Sequence, residues 1–227
     1  MESVGAEAES LRQRLRTPRA AAVAGVLFAV LLMTCQALIW MSIPTNPWAP
    51  SMEVFRHSKA LAIALNLVPF AGISFLWFIA VVRDHIGVLE DRFFATVFLG
   101  SGLLYLAMLF TAAATAGALI SLFSNVPDTR ATSAAYLFGR GEIYRITTIY
   151  GTRMAGVFMI STSTIFVRTQ VVPRWVAFLG YLLAVTLLVS IGSIQWVAAV
   201  FPLWVLLISL CILVQTRGWR NKTAISS

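Results

Sequence analysis

Apolar residues fill long uninterrupted runs in this chain, without the polar face that a helix on the surface of a soluble protein would show. Six runs, at about 20–42, 59–82, 94–123, 147–167, 175–192 and 196–214, come close to or exceed the roughly 20 residues a helix needs to cross about 30 Å of hydrocarbon. The pattern predicts an all-α polytopic membrane protein with six transmembrane helices. The third run is longer than a span requires, so its helix should tilt or continue past one interface. A break is required at Ser193, Ile194 and Gln195, because the fifth and sixth runs joined as one helix would extend about 60 Å. Pro44, Pro47 and Pro50 favour extended chain in the first outer connection. The second outer connection, about 124–146, is the longest polar one and carries the turn signal Asn125-Val126-Pro127-Asp128. The organisation expected is a basic tail at 1–19, a six-helix domain at 20–215 and a second tail at 216–227. Both tails are charged, cytoplasmic and expected to be mobile.

Composition supports lipid as the solvent. Of 227 residues, 59% are hydrophobic and 11% charged, against about 25% charged in an ordinary soluble domain. A mean hydropathy of +0.85 excludes a secreted domain, a disordered chain and most soluble enzymes. The formal charge of +8 does not indicate nucleic acid, because the cations punctuate apolar runs instead of sharing one solvated face. Anionic membrane lipids are the partner they fit.

The same cations orient the chain. With the N-terminus in the cytoplasm, eleven basic residues fall inside, from Arg12 to Lys222, and five outside: Arg56, Lys59, Arg130, Arg140 and Arg145. The positive-inside rule then places both termini in the cytoplasm, as an even number of spans also demands. Trp40, Trp48 and Trp196 fall at the outer ends of spans and Trp175 and Trp219 at the inner ends, the pattern of interfacial belts. Leu32-Met33-Thr34-Cys35 faintly resembles a lipoprotein cleavage box, but the apolar run continues to Trp40, beyond the length of a signal core. An uncleaved first helix is expected.

Candidate chemistry centres on Arg153, the one ionisable residue well inside an expected span. Such a residue costs several kcal/mol in lipid and marks a candidate site by default. Counting at 1.5 Å per residue puts it roughly 6 Å outward of the bilayer centre, with Gln36 and Asn66 about 7 Å and Thr115 about 10 Å outward. Ser190 falls near that level. Two readings follow. In the first, several helices share an outward-facing polar layer that binds or moves a lipid or small anion around Arg153. Otherwise Arg153 snorkels to headgroups and the uncharged residues only join helices. The small residues of Thr111–Ala118 suit close helix packing, and Ser161-Thr162-Ser163-Thr164 faces all sides of its helix, so some hydroxyls must bond their own carbonyls. The segment Arg83–Arg92, with His85 between acidic residues, reads as a solvated cytoplasmic turn more readily than as a metal site. Arg140, Glu142 and Arg145 with Tyr136 and Tyr144 suit either an interfacial helix or an ion-paired turn.

Other chemistries lack their residues. His57 and His85, at opposite ends of the second helix, cannot hold a haem between them. No zinc-protease motif, nucleophile elbow or phosphate loop occurs, and no metal or cofactor is expected. Cys35 and Cys211 lie in opposite halves and should not pair.

Three strings carry a resemblance: Arg153-Met154-Ala155-Gly156-Val157-Phe158-Met159-Ile160-Ser161-Thr162-Ser163-Thr164, Pro173-Arg174-Trp175-Val176-Ala177-Phe178-Leu179-Gly180-Tyr181 and Val200-Phe201-Pro202-Leu203-Trp204-Val205-Leu206-Leu207. Together they resemble a group of uncharacterised bacterial multi-pass membrane proteins, over most of residues 20–215. The resemblance implies a six-helix protein of the bacterial inner membrane and no activity. The leading functional expectation is a non-enzymatic membrane protein binding or transporting a lipid or small anion. The alternative is a structural or accessory subunit, which an exposed stripe of small residues on the third helix would mark.

Overall fold

The computed structural model describes residues 2–42, 58–86, 92–125, 130–169, 172–190 and 197–225. These form α1 (Glu2–Ser42), α2 (Ser58–Ile86), α3 (Arg92–Asn125), α4 (Arg130–Arg145), a π-helical turn (Ile146–Gly151), α5 (Thr152–Thr169), α6 (Arg174–Val189) and α7 (Val197–Ile225). The described residues contain no strand, so the all-α expectation holds. Four helices are long and apolar enough to cross a membrane, over Ala20–Ile39, Lys59–Arg83, Phe93–Leu122 and Val197–Val214. The other two expected spans fall on the continuous segment from α4 to α5, which carries Arg153 and Arg168, and on α6, which has 16 residues.

The segment expected as the second outer connection is helical from Arg130 onward, as the helical one of its two readings has it. Its Arg140, Glu142 and Arg145 depress hydropathy, yet the helix packs on α3: a Cβ on Gly139 would stand 2.9 Å from Leu119 Cδ1. Both charged tails are helical too, since α1 begins at Glu2 and α7 runs to Ile225. Glu, Ala, Leu, Arg and Gln dominate 6–16, and these residues sustain a helix in water as readily as in lipid. The helix break expected at 193–195 lies outside the described residues, but Ser190 has already left helical backbone, at φ −56 and ψ 126. Of the expected tryptophan belt, only Trp175 has a described side chain, 59% exposed.

Helix α1 packs along α2 and α7, while α5 packs along α6 and α3. Contacts of α2 with α3, and of α7 with α5 and α6, close the bundle. Where these groups meet, the gap is filled by aromatic rings. Phe75 of α2 lies 4.5 Å from Phe28, 5.2 Å from Phe158, 5.6 Å from Phe201 and 5.8 Å from Tyr105, measured between ring centroids. Phe158 stacks at 4.8 Å on Phe98. Five helices thus meet in one ring cluster, mostly in the tilted and edge-on geometries that aromatic quadrupoles favour. Glycines bring other helices closer. A Cβ on Gly156 would stand 3.2 Å from the Ala184 carbonyl of α6, and one on Gly102 2.6 Å from Ile79 Cδ1 of α2.

Candidate functional site

Proline shapes the first part of the expected polar layer. Pro202 stands inside α7 and has no N–H, so the carbonyl four residues earlier, at Ala198, loses its helical donor. Gln36 of α1 supplies one: its Nε2 donates to the Ala198 carbonyl at 3.1 Å. The preceding residue, Cys35, donates its thiol to the Ala64 carbonyl of α2 at 3.3 Å. Gln36 is therefore a tie between α1 and the proline-broken turn of α7. Gln36→Leu should cost about 1 kcal/mol, within the range for interhelical hydrogen bonds in membranes. In a Pro202→Ala background the cost should fall toward zero, because the restored N–H satisfies Ala198; a double-mutant cycle on thermal unfolding measures the difference. Equal costs in both backgrounds would contradict this role.

The other expected residues do not join Gln36. Thr115 donates to the carbonyl of Thr111 at 3.0 Å, within its own helix. Asn66 is exposed on α2. A Cβ on Gly117 would lie 3.9 Å from Leu65 Cδ1, which with the Cys35 bond sets Gln36, Asn66 and Thr115 near one level. Arg153 lies elsewhere. The contact of Gly151 with Met108 Cβ, 3.8 Å from a Cβ built on the glycine, sets Arg153 beside the middle of the apolar stretch Phe93–Leu122. That is roughly 13 Å from the level of Thr115 at 1.5 Å per residue. The structure thus sets three of the four near one depth, Gln36 and Thr115 with separate hydrogen-bond partners, and places Arg153 apart.

Local backbone explains how Arg153 is presented. The turn Ile146–Gly151 is π-helical, with one extra residue relative to α-helix, a feature that occurs mostly as single turns and often at functional sites. Thr152, 6% exposed, closes it by donating to the carbonyl of Thr147, five residues back, at 3.0 Å. Thr147 and Thr148 donate to Ile143 at 2.7 Å and Tyr144 at 2.5 Å. Side chains of a helix lean toward its N-terminus, and Arg153 follows: its Nη1 donates to the Ile149 carbonyl inside the π turn at 3.4 Å. Arg153 and Arg145 are exposed, as are Tyr150 (56%) and Tyr144 (43%). The result is a face of two guanidiniums and two phenols running along the π turn. A guanidinium is a permanent cation with five N–H donors, suited to bidentate phosphate or carboxylate. In the sequence Arg145 and Tyr144 belonged to a separate interfacial helix or ion-paired turn. Nothing in the residue pattern marks the π turn that joins them to Arg153.

The hydroxyl run on α5 resolves as hydrogen-bond arithmetic requires. Ser161, Thr162 and Thr164 each donate to the carbonyl four residues back, at 3.0, 2.7 and 2.9 Å, and Thr164 also pairs with Tyr181 of α6 at 2.7 Å. Ser163 alone among them has no partner, and neither do the buried polar atoms of Trp204 and Ser209. Ser163 and Trp204 both press on Gly180 of α6, where a Cβ would stand 2.8 Å from Trp204 Nε1. The two cysteines are free thiols. Among the described residues no cluster of histidine, cysteine and carboxylate suited to a metal occurs; the side chains of 84–90 lie outside them. No protein-family model, curated protein or solved structure matches the chain.

Proposed function

We propose that this chain is a multi-pass protein of a bacterial cell membrane, with six membrane-crossing segments and both termini cytoplasmic, that binds an anionic lipid or small anion at the Arg153 face. The long apolar helices and the excess of basic residues on one set of connections support the topology. One observation carries the ligand: an exposed guanidinium beside the middle of apolar α3, held by a single long backbone hydrogen bond. A cation at that depth needs an anion or a route to the headgroups. Its lean toward Ile149 and Tyr150 aims it along the helix toward Arg145. The face is turned outward from the bundle, so it suits a ligand approaching laterally through the lipid better than one passing between the helices. No nucleophile–base pair accompanies it, and the reading is non-enzymatic.

Native mass spectrometry of protein released from nanodiscs, wild type beside Arg153→Ala, tests this. A defined adduct on wild type that the variant loses is the expected outcome, and its mass gives the ligand class. Identical lipid ladders on both would sink the reading.

A second reading, an accessory subunit docking a partner's helix, is favoured by a different observation. Ala107, Thr111, Ala114, Ala118 and Ser121 are all exposed on α3, at alternating spacings of four and three. Small residues so spaced let a second helix approach closely. Crosslinking through a cysteine at Ala114 would capture that partner.

A further inference from the structure

One polar side chain of the membrane-facing surface is left unmatched by the bundle. Asn66 is exposed on α2, and its amide makes no hydrogen bond among the described residues. It stands about 8 Å from the middle of the apolar stretch Lys59–Arg83 at 1.5 Å per residue. That is inside the roughly 15 Å half-thickness of the hydrocarbon. Acyl chains offer an amide no hydrogen bond, and asparagine lacks the long stem by which arginine or lysine reaches the headgroups. A second helix is what satisfies such a group in lipid.

The face around Asn66 has the geometry of a helix seam. Ile63, Phe70, Ile73 and Trp77 are 55%, 60%, 52% and 66% exposed, and with Asn66 they recur along α2 at alternating spacings of three and four. That spacing keeps two helices in contact over several turns. The rest of α2 is already engaged: Ala64, Ala71, Phe75 and Phe78 are fully buried, while Leu65 meets Gly117 and Gly72 meets Phe110 of α3. The outward face is the one left to take another helix.

A second copy of this chain fits that seam, because an amide is its own complement. Asparagine carries two N–H donors and a carbonyl acceptor. A half-turn about an axis along the membrane normal keeps every residue at its depth. It therefore brings Asn66 opposite Asn66 of the partner subunit, and each donates to the other. Any other protein would need a matching polar group at that one depth. Closed two-fold pairs are the commonest oligomers, and a single asparagine in an apolar seam fixes register and the number of chains. We infer that α2 is the seam of a parallel two-fold dimer, held in register by reciprocal hydrogen bonds between Asn66 and Asn66 of the partner subunit. The inference rests on neither reading of function, since the Arg153 face and the small residues of α3 lie on other helices.

The test uses the full chain, labelled at its C-terminus with a donor or an acceptor fluorophore and reconstituted in phosphatidylcholine liposomes. Energy transfer reports association as the protein is diluted in lipid. Wild type should keep transfer above that of random proximity. Asn66→Leu, an apolar change on a lipid-facing surface, should weaken dimerisation about tenfold, because symmetry removes two interhelical hydrogen bonds at once. Asn66→Gln keeps the amide and should keep most of the dimer. A second measurement locates the axis. In a background of Cys35→Ser and Cys211→Ala, Asn66→Cys should form an intermolecular disulfide on oxidation, since a residue on the axis meets itself, and Ala114→Cys should not. Arg153→Ala should dimerise like wild type, so that the two proposals fail separately. A wild type that is monomeric at every dilution, or an Asn66→Leu chain that dimerises like wild type, would overturn the proposal. A disulfide through Ala114→Cys but not through Asn66→Cys would also overturn it, by moving the contact to α3.

Discussion

Phe75→Ala should be the most damaging single truncation in the described core, costing about 3 kcal/mol. That is the low end for aromatic truncation, because in lipid the loss comes from packing and not from transfer out of water. Phe75 is fully buried, and its ring meets rings from α1, α3, α5 and α7 at 4.5–5.8 Å. Among the described side chains only Phe201 joins as many helices, meeting rings from α1, α2, α3 and α5 at 4.7–5.9 Å. Alanine there leaves a void that four rigid rings cannot close by rotating, so the dispersion contacts are lost outright. Phe75→Leu should keep most of the stability, since a branched side chain fills much of the same volume. Thermal unfolding in detergent, followed by loss of the monodisperse species, measures both. A loss under about 1 kcal/mol for Phe75→Ala would mean that the cluster is not the centre of the fold.

Gly180→Ala should be the next most damaging, at about 2 kcal/mol, within the range for inserting one carbon into a packed interior. The added Cβ would stand 2.8 Å from Trp204 Nε1, 3.0 Å from Trp204 Cζ2, and against the Ser163 hydroxyl. The serine can yield, because the carbonyl four residues back accepts from a hydroxyl at each of its neighbours Ser161, Thr162 and Thr164. The indole cannot, being 1% exposed and locked among α5, α6 and α7. Ser163→Ala should therefore leave most of the Gly180→Ala penalty standing. Alone, Ser163→Ala should be neutral or slightly stabilising, because it removes a buried hydroxyl that has no partner. A large destabilisation from Ser163→Ala alone would show that the hydroxyl does bond, and that the indole N–H is its natural donor.

Much of the helical architecture was legible in the sequence because the solvent leaves few alternatives. In lipid every backbone amide must be satisfied within its own segment, so a long apolar run has little choice but helix. The runs at 20–42, 59–82, 94–123 and 196–214 each lie on a helix found long and apolar enough to span. Residues 130–145 left an interfacial helix or an ion-paired turn open, because Arg140, Glu142 and Arg145 depress hydropathy; the helix forms, and Gly139 brings it onto Leu119.

The candidate site was only half legible. Depth counting found Gln36, Asn66 and Thr115 near one level. It could not find the partner of Gln36, which depends on helix rotation and on a carbonyl that Pro202 frees in a different helix. Arg153 was identified by its charge alone. Its setting depends on the π turn, and one inserted residue per turn has no compositional mark. The small residues of α3 read in the sequence as suited to close helix packing, with an exposed stripe as the mark of an accessory subunit. Exposure divides them between faces, with Ala112 buried and Ala107, Ala114 and Ala118 turned outward.

The claim on which the functional reading stands is that the Arg153 guanidinium meets a phosphate in the membrane. Rotational-echo double-resonance NMR between 13Cζ-labelled arginine and lipid 31P, in liposomes containing phosphatidylglycerol, measures that contact directly. The contribution of Arg153 is isolated by subtracting the Arg153→Gln spectrum. Rapid dephasing in the difference, matching an N···O contact of about 2.8 Å between guanidinium and phosphate, is the expected result. A difference spectrum with no 31P dephasing would leave Arg153 bonded only to Ile149, and the exposed seam of α3 would become the leading site.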